Sequence, residues 1–192
     1  MTLPLPRVFI ITGVVLLIIG LGITLLSTDE TGPDAPQADS LNIQTQDLFE
    51  SIEGTYRPDF SLPDIHGQPR SITEWNGKVV LVNFWATWCL PCLTEIPELL
   101  TLQDDYGQQG LQVVGIALQK PEEVTGFVSE HNMTYPVLAG EAEVIVIAES
   151  YGNHIGALPY TAIIDRDGIV VFTKAGPISR SEVEDLIADL LM

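Results

Sequence analysis

The sequence predicts an α/β fold, a mixed β-sheet flanked by helices on both faces, with an N-terminal β-hairpin extension and one N-terminal transmembrane helix. Three observations lead there. From Lys78 onward, short β-branched and aromatic runs alternate with stretches of helical apolar spacing. The last two of those runs are separated only by Arg166-Asp167-Gly168, and a charge-free run of nineteen residues, Val8 to Leu26, lies near the N-terminus. Alternation of this kind gives parallel strands with helices packed over them, and a turn-length connection gives an antiparallel pair at the end of the sheet.

The N-terminal run reads VFIITGVVLLIIGLGITLL. At about 1.5 Å per residue it is just long enough for a hydrocarbon core of about 30 Å. Arg7 precedes it and Asp29, Glu30 and Asp34 follow. The positive-inside bias therefore places residues 1–7 in the cytoplasm and the rest of the chain on the extracytoplasmic side of the membrane. A cleaved signal peptide has a shorter apolar core, about 7–15 residues, and an A-x-A-like site. STDETGPDAPQADS, which follows Leu26, contains no such site, so residues 8–26 are expected to stay in the bilayer as a single-pass anchor. Residues 27–56, rich in Asp, Glu, Ser, Thr, Pro and Gln, have the composition of an acidic linker, although LNIQTQDLFESI within them has enough apolar residues to pack or form a short helix. Residues 57–192 are of single-domain size.

Composition narrows the function classes. The chain has 8 Lys+Arg against 26 Asp+Glu, for a net charge of −18, and all the acids lie beyond the anchor. So few cations make no basic face for a nucleic acid, and the surplus of carboxylates keeps the exported part soluble and off anionic lipid. Two Cys are too few for a disulfide-stapled miniprotein.

Within the domain, Asp59–Ile72 holds two short extended pieces around His66-Gly67, the pattern of a hairpin. Lys78–Trp85 (KVVLVNFW) is too short for a helix and too apolar for a surface strand, so it is a central strand buried on both faces. Pro91 through Tyr106 carries Leu93, Ile96, Leu99, Leu100 and Leu102 near helical spacing and stops at Gly107. Pro97 inside it removes one backbone bond and should kink the axis. Leu111–Leu118 is a second buried strand, and Glu122–His131 a helix opened by Pro121. A short strand over Tyr135–Leu138 and a helix over Ala142–Tyr151 come next. Strands Tyr160–Asp165 and Ile169–Lys174 form the closing hairpin, and Ser181–Leu191 is an acidic amphipathic C-terminal helix.

Cys89-Leu90-Pro91-Cys92 falls where the central strand hands over to its helix. A helix N-terminus offers free N–H groups and the positive end of the macrodipole, which stabilise a thiolate at Cys89 as the attacking sulfur. Cys92, one turn further on, can close the disulfide and release a mixed-disulfide partner. A structural disulfide across three residues closes too short a loop to stabilise much, and zinc would need four ligands from three His and carboxylates besides the pair. Haem attachment needs His after the second Cys, where Leu93 stands. Redox chemistry at Cys89 and Cys92 is therefore the reading, with no cofactor and no metal. His66, His131 and His154 have no partner motif and read as loop or surface residues.

FWATWCLPC, TEIPEL and GALPYTAIIDRDG, in this order, resemble the thioredoxin fold and within it the TlpA/ResA/CcmG-like membrane-anchored thiol-disulfide oxidoreductases, over roughly Tyr56–Met192. The segment PDFSLPDIHGQPRSITEWNGK matches the N-terminal hairpin of that branch. The resemblance implies that Pro159 is a cis-proline facing the Cys pair, turning the Leu158 backbone outward so that a client chain can add as a strand. Trp88, Leu158 and Tyr160 would then border the substrate groove, Tyr160 standing where the family commonly has Thr. Trp85 would be core. The place of the buried thioredoxin Asp is taken by Asn83, which cannot carry a proton. Glu95 matches an acid that family members carry near the sulfurs. Two readings of it are open: a half-buried acid that takes the proton of Cys92, or a solvated first-turn Glu favouring the helix dipole.

The resemblance further implies an enzyme, a protein thiol-disulfide oxidoreductase that reduces protein disulfides, as in cytochrome c maturation. Its partners would be protein thiol/disulfide clients such as apocytochrome c and an integral-membrane thiol donor of the DsbD/CcdA type. Two alternatives stand beside it. One is a thioredoxin-fold binding or chaperone module for exported clients. The other is a peroxiredoxin-like peroxidase, whose P-x-x-x-T-x-x-C pattern fails here because Val82 and Ala86 occupy the Pro and Thr places.

Overall fold

A computed structural model describes residues 51–192. The anchor expected over residues 8–26, and the linker as far as residue 50, lie outside the described residues. Among the described residues no helix is long and apolar enough to cross a membrane.

The structure opens with a short antiparallel pair, β1 (Ser61–Pro63) and β2 (Pro69–Ser71), with Ser61 opposite Ser71. A single 3-10 turn, Ile72–Trp75, follows, closed by a capping box in which Ser71 accepts from the Thr73 N–H and Glu74 accepts from the Ser71 N–H. A five-stranded sheet is then built from β3 (Val79–Trp85), β4 (Leu111–Leu118), β5 (Val137–Gly140), β6 (Tyr160–Ile164) and β7 (Val170–Ala175). Its order is β5-β4-β3-β6-β7. β3, β4 and β5 run parallel, while β6 and β7 are antiparallel additions on the other side of β3. Every residue of β3 is buried, as its uninterrupted apolar pattern requires of a central strand.

Three helices connect the strands, α1 (Leu90–Tyr106), α2 (Pro121–Glu130) and α3 (Ala142–Ser150), and a fourth, α4 (Arg180–Ile187), follows the last strand. α1 continues through Pro97 to Tyr106 without a break. Pro121 stands in the first turn of α2, where its missing N–H costs nothing. Most element ends shift by a residue or two from the sequence reading, and two of the shifts have local reasons. The strand expected from Tyr135 starts at Val137, because Pro136 has no N–H to give the sheet and only its carbonyl pairs, with the Gly115 N–H at 2.9 Å. The last helix, expected to reach Leu191, ends at Ile187, and the carbonyls of Leu190 and Leu191 accept from the Arg166 guanidinium at 3.0 and 3.3 Å.

Strand alternation divides the core in two. Leu81 and Trp85 of β3 face the cluster that α1, α2 and α4 cover with Ile96, Leu99, Val124 and Val183. Val80, Val82 and Phe84 face the opposite cluster, where α3 packs with Phe60, Trp75, Tyr151 and Tyr160. Residues just before the domain, assigned to the linker by composition, join the sheet: Gly54 N–H donates to Val170 O at 2.8 Å and Val170 N–H to Thr55 O at 2.9 Å.

Candidate active site

Cys89 and Cys92 are joined as a disulfide with Cα atoms 5.3 Å apart. Cys89 is the N-cap of α1, in extended conformation, so its sulfur sits at the mouth of the helix where the N–H groups are unpaired. Cys89 retains 6% exposure and Cys92 none, which leaves only the first sulfur open to an incoming thiol or disulfide. The loop that presents the pair is fixed from the residue after β4: the side-chain carbonyl of Gln119 accepts from both the N–H and the hydroxyl of Thr87, at 2.7 and 2.8 Å. Beside Cys89, Trp88 is 63% exposed and Leu90 76%, an apolar surface around the reactive sulfur. Trp85 is fully buried.

The Leu158–Pro159 peptide is cis, and Pro159 is buried immediately before β6. Leu158 is partly buried and packs against both clusters, including the one that holds the two cysteines. The loop leading to it is clamped by Asn153, whose amide accepts from the Ala157 N–H at 2.8 Å and donates to the Ala157 carbonyl at 2.9 Å. Tyr160 lies elsewhere than an exposed groove wall. Its ring is buried among Phe84 and Tyr151 on the face opposite the disulfide, and its hydroxyl donates to the Tyr151 carbonyl at 2.8 Å.

Glu95 is buried at 2% exposure, not solvated. One carboxylate oxygen accepts from the Ile178 N–H at 2.9 Å and the other from the Asn83 amide at 2.7 Å. Burial raises its proton affinity above the ordinary glutamate value, the two hydrogen bonds opposing this only in part. Asn83 also donates to the Thr161 hydroxyl at 3.2 Å, so the position that cannot carry a proton is bonded to the acid that can. His66, His131 and His154 are exposed, His131 stacking on Phe127 with ring centroids 3.8 Å apart. No group of three His, Cys, Asp or Glu that could hold a metal is present among the described residues.

Gln119, Asn153 and the Ile178 N–H were not singled out by the sequence. Gln119 and the Ile178 N–H act on the site from distant stretches of chain, and Asn153 from within the loop before Leu158, where the local signal is an Asn beside Gly.

A mixed sheet of this order, with a Cys-x-x-Cys pair at the head of the helix after its central strand and a cis-proline before the antiparallel strand, defines the class of thioredoxin-fold thiol-disulfide exchange proteins. Comparison with known proteins narrows the class. The Redoxin family matches residues 52–190. The chain is 32% identical over 132 residues to the thiol-disulfide oxidoreductase ResA of Geobacillus thermodenitrificans, covering 68% of this chain and 74% of that protein. It is 32% identical over 136 residues to the thioredoxin-like protein YneN of Bacillus subtilis, covering 69% and 76%. A solved thiol:disulfide interchange protein of the thioredoxin family from Chlorobium tepidum superposes with a TM-score of 0.65 at 31% identity, over 72% of this chain and 97% of that one. The chain therefore belongs to the Redoxin family, in its TlpA/ResA/CcmG-like branch. It is a protein thiol-disulfide oxidoreductase.

Proposed function

We propose that this enzyme is a reductant of protein disulfides, held at the extracytoplasmic side of a bacterial cell membrane by residues 8–26 and acting in the manner required for cytochrome c maturation. Residues 27–50 serve as the tether, and the domain carries the chemistry. The observation that carries the reading is the asymmetry of the pair, with Cys89 open at the helix mouth and Cys92 sealed, a buried acid following three residues later on the same helix. The charge-free run beside Arg7 supports the membrane placement.

In the forward step the Cys89 thiolate attacks a client disulfide, forming a Cys89–client bond and expelling one client thiolate. Cys92 then loses its proton to Glu95, attacks the Cys89 sulfur and releases the second client thiolate, which takes up the proton from Glu95. Two electrons pass to the client, and the Cys89–Cys92 disulfide is the product. The placement of Glu95, about one turn after Cys92 on the same helix and raised in proton affinity by burial, supports its place in that step. Leu158, ahead of cis-Pro159, would pair with the client backbone as an added strand, and the exposed Trp88 would border the client chain. An apocytochrome c with its Cys pair oxidised fits as client, and the enzyme must be re-reduced by a membrane thiol donor of the DsbD/CcdA type.

The reduction potential of the full chain, equilibrated in thiol buffers and read by Trp fluorescence, tests the direction. A value near or below about −270 mV is expected. A value near about −120 mV would assign the enzyme to oxidation or isomerisation instead.

A further inference from the structure

β7 is an edge strand, and the chain entering the domain runs along it. Arg57 N–H donates to the Gly168 carbonyl and Gly54 N–H to the Val170 carbonyl, both at 2.8 Å, and the Glu53 carboxylate accepts from the Thr173 N–H at 2.7 Å and the Thr173 hydroxyl at 3.0 Å. Followed backwards from Arg57, the chain climbs β7 towards Ala175, which pairs with Tyr160, the residue after cis-Pro159. The climb brings Ser51 and Ile52 to the active-site end of the sheet.

There they form part of the wall of a cavity of about 180 Å³ whose surface is mostly apolar. The rest of the wall is residues 152–155 of the loop after α3, Tyr160, and residues 173–175 of β7. Ile52 packs against the aromatic cluster, and a Cβ at Gly152 would lie 3.7 Å from its side chain, so the entering chain already reaches the loop. Ile155 in the cavity wall is exposed. Pockets for drug-sized ligands run to about 300–1,000 Å³, so this one suits one or two side chains rather than a small molecule.

The sequence just ahead of Ser51 offers two. Leu48 and Phe49 stand four and three places before Ile52 in QDLFESI, the spacing that puts side chains on one face of a helix. Asp47 and Glu50 flank them, opposite in sign to Lys174 in the cavity wall, which pairs with Glu182. A client chain or a second copy could bring apolar side chains too, but this segment is delivered covalently at a distance of about one helical turn, which gives it by far the highest local concentration.

We propose that Leu48 and Phe49 seat in this cavity as one helical turn ahead of Ile52, so that the domain-proximal end of the tether straps β7 to the loop over residues 152–157. In that loop Asn153 clamps Ala157, the residue before Leu158. The strap therefore braces the edge at which a client chain adds. That consequence rests on the role of Leu158 proposed above, whereas the seating does not.

The test uses the full chain in detergent with p-benzoylphenylalanine in place of Phe49, irradiated as a mixture of 15N-labelled and unlabelled chains and mapped by mass spectrometry. Crosslinks within one chain to residues 152–155 or 173–175 are expected. Crosslinks between labelled and unlabelled chains would make a second copy the occupant, and crosslinks elsewhere, or none, would leave the cavity to a client; each overturns the proposal. Hydrogen exchange supplies an independent arm. The amides of Gly152, Asn153 and Gly156 are hydrogen-bonded in and beside the loop. In Phe49→Asp they should exchange about tenfold or more faster than in the parent, and in Gln46→Asp, the same charge change off the apolar face, at the parent rate. Equal exchange in all three chains overturns the proposal. A kinetic arm separates the seating from its use: Phe49→Asp should raise KM for a disulfide-bonded peptide and leave kcat with a small aryl disulfide unchanged. If exchange quickens and KM does not move, the seating stands and the role of Leu158 in client binding falls.

Discussion

The two faces of the central sheet are supplied by the same strand and are built on opposite terms. On the α3 face, the aromatic cluster of Phe60, Phe84, Tyr151 and Tyr160 closes every hydroxyl internally: Tyr151 donates to the Pro58 carbonyl at 2.9 Å and Tyr160 to the Tyr151 carbonyl at 2.8 Å. On the α1 face, under the disulfide, a carboxyl group is buried, and the Asn83 amide oxygen, the Trp85 indole N–H and the Tyr135 hydroxyl have no partner among the described residues. One residue step along β3 is all that separates the two environments. Stability is concentrated where polar groups are satisfied, and chemistry where they are not, because an unsatisfied buried group is one that can still respond to a change of charge. If this division is correct, substitutions on one face should change stability alone, and on the other they should also change redox behaviour.

The largest effect belongs to the sulfur itself. Cys89→Ser should bring thiol-disulfide exchange down to the uncatalysed background in an insulin or aryl-disulfide assay, since Cys92 is sealed from solvent and cannot take over the attack. Exchange that persists would show that Cys92 is accessible and that the asymmetry of the pair has been misread.

On the opposite face, Phe84→Ala removes a fully buried ring whose centroid lies 6.0 Å from Tyr151 and 6.2 Å from Tyr160. Truncation of a core Phe costs about 3–5 kcal/mol, to be read from urea unfolding of the oxidised protein. The reduction potential of the folded variant should stay within about 30 mV of the parent, equivalent to about 1.4 kcal/mol. A larger shift would mean that the two faces are coupled through β3 and that the division does not hold.

Gly115→Ala probes the α1 face by steric means. A methyl group there would come within 3.0 Å of the Trp85 indole nitrogen and 3.2 Å of the Tyr135 ring. Both rings are buried and must give way, so a loss of about 1–3 kcal/mol is expected. Displacement of Trp85 should also change the difference in Trp fluorescence between oxidised and reduced protein. An unfolding curve like that of the parent would show that the two rings have room to move.

How much of this could be seen in the sequence depends on the range of each interaction. The seven buried residues of β3, the cysteine pair at the following helix and the closing β6–β7 hairpin are local patterns, and the chain states them directly. Tyr135–Leu138 looked like a strand because its side chains are apolar, but a strand also needs N–H groups, and Pro136 has none. Glu95 could be recognised only by resemblance. Whether it was wet or dry depended on the Ile178 N–H, 83 residues further along the chain, and on burial that no short window reveals. Asn83 was read by what it lacks, a proton, whereas the structure shows its importance in what it binds. Tyr160 follows Pro159 and so suggested a groove residue, yet strand alternation sends its ring to the aromatic face and Thr161 to the redox face.

The finest distinction between the faces is one of pH. Burial raises the proton affinity of Glu95 above its ordinary value of 4.5. Between that value and the higher one in the native state, the folded protein holds a proton that the unfolded chain has released, so stability must fall as pH rises through the window. The slope can reach about 1.4 kcal/mol per pH unit. Gln cannot titrate, so the unfolding free energy of the parent minus that of Glu95→Gln should be level below pH 4.5, decline as pH rises above it, and level off again once the native carboxyl has ionised. Urea melts from acid to mildly alkaline pH measure it. Tyr151→Phe, on the other face, leaves the Pro58 carbonyl without its donor, and its cost should be constant over the same range, because burial pushes the Tyr151 hydroxyl further up from its ordinary range. A difference for Glu95→Gln that is flat or grows with pH would mean that the hydrogen bonds from Ile178 and Asn83 match or outweigh the effect of burial, and that this carboxyl is as fully satisfied as the hydroxyls of the aromatic face.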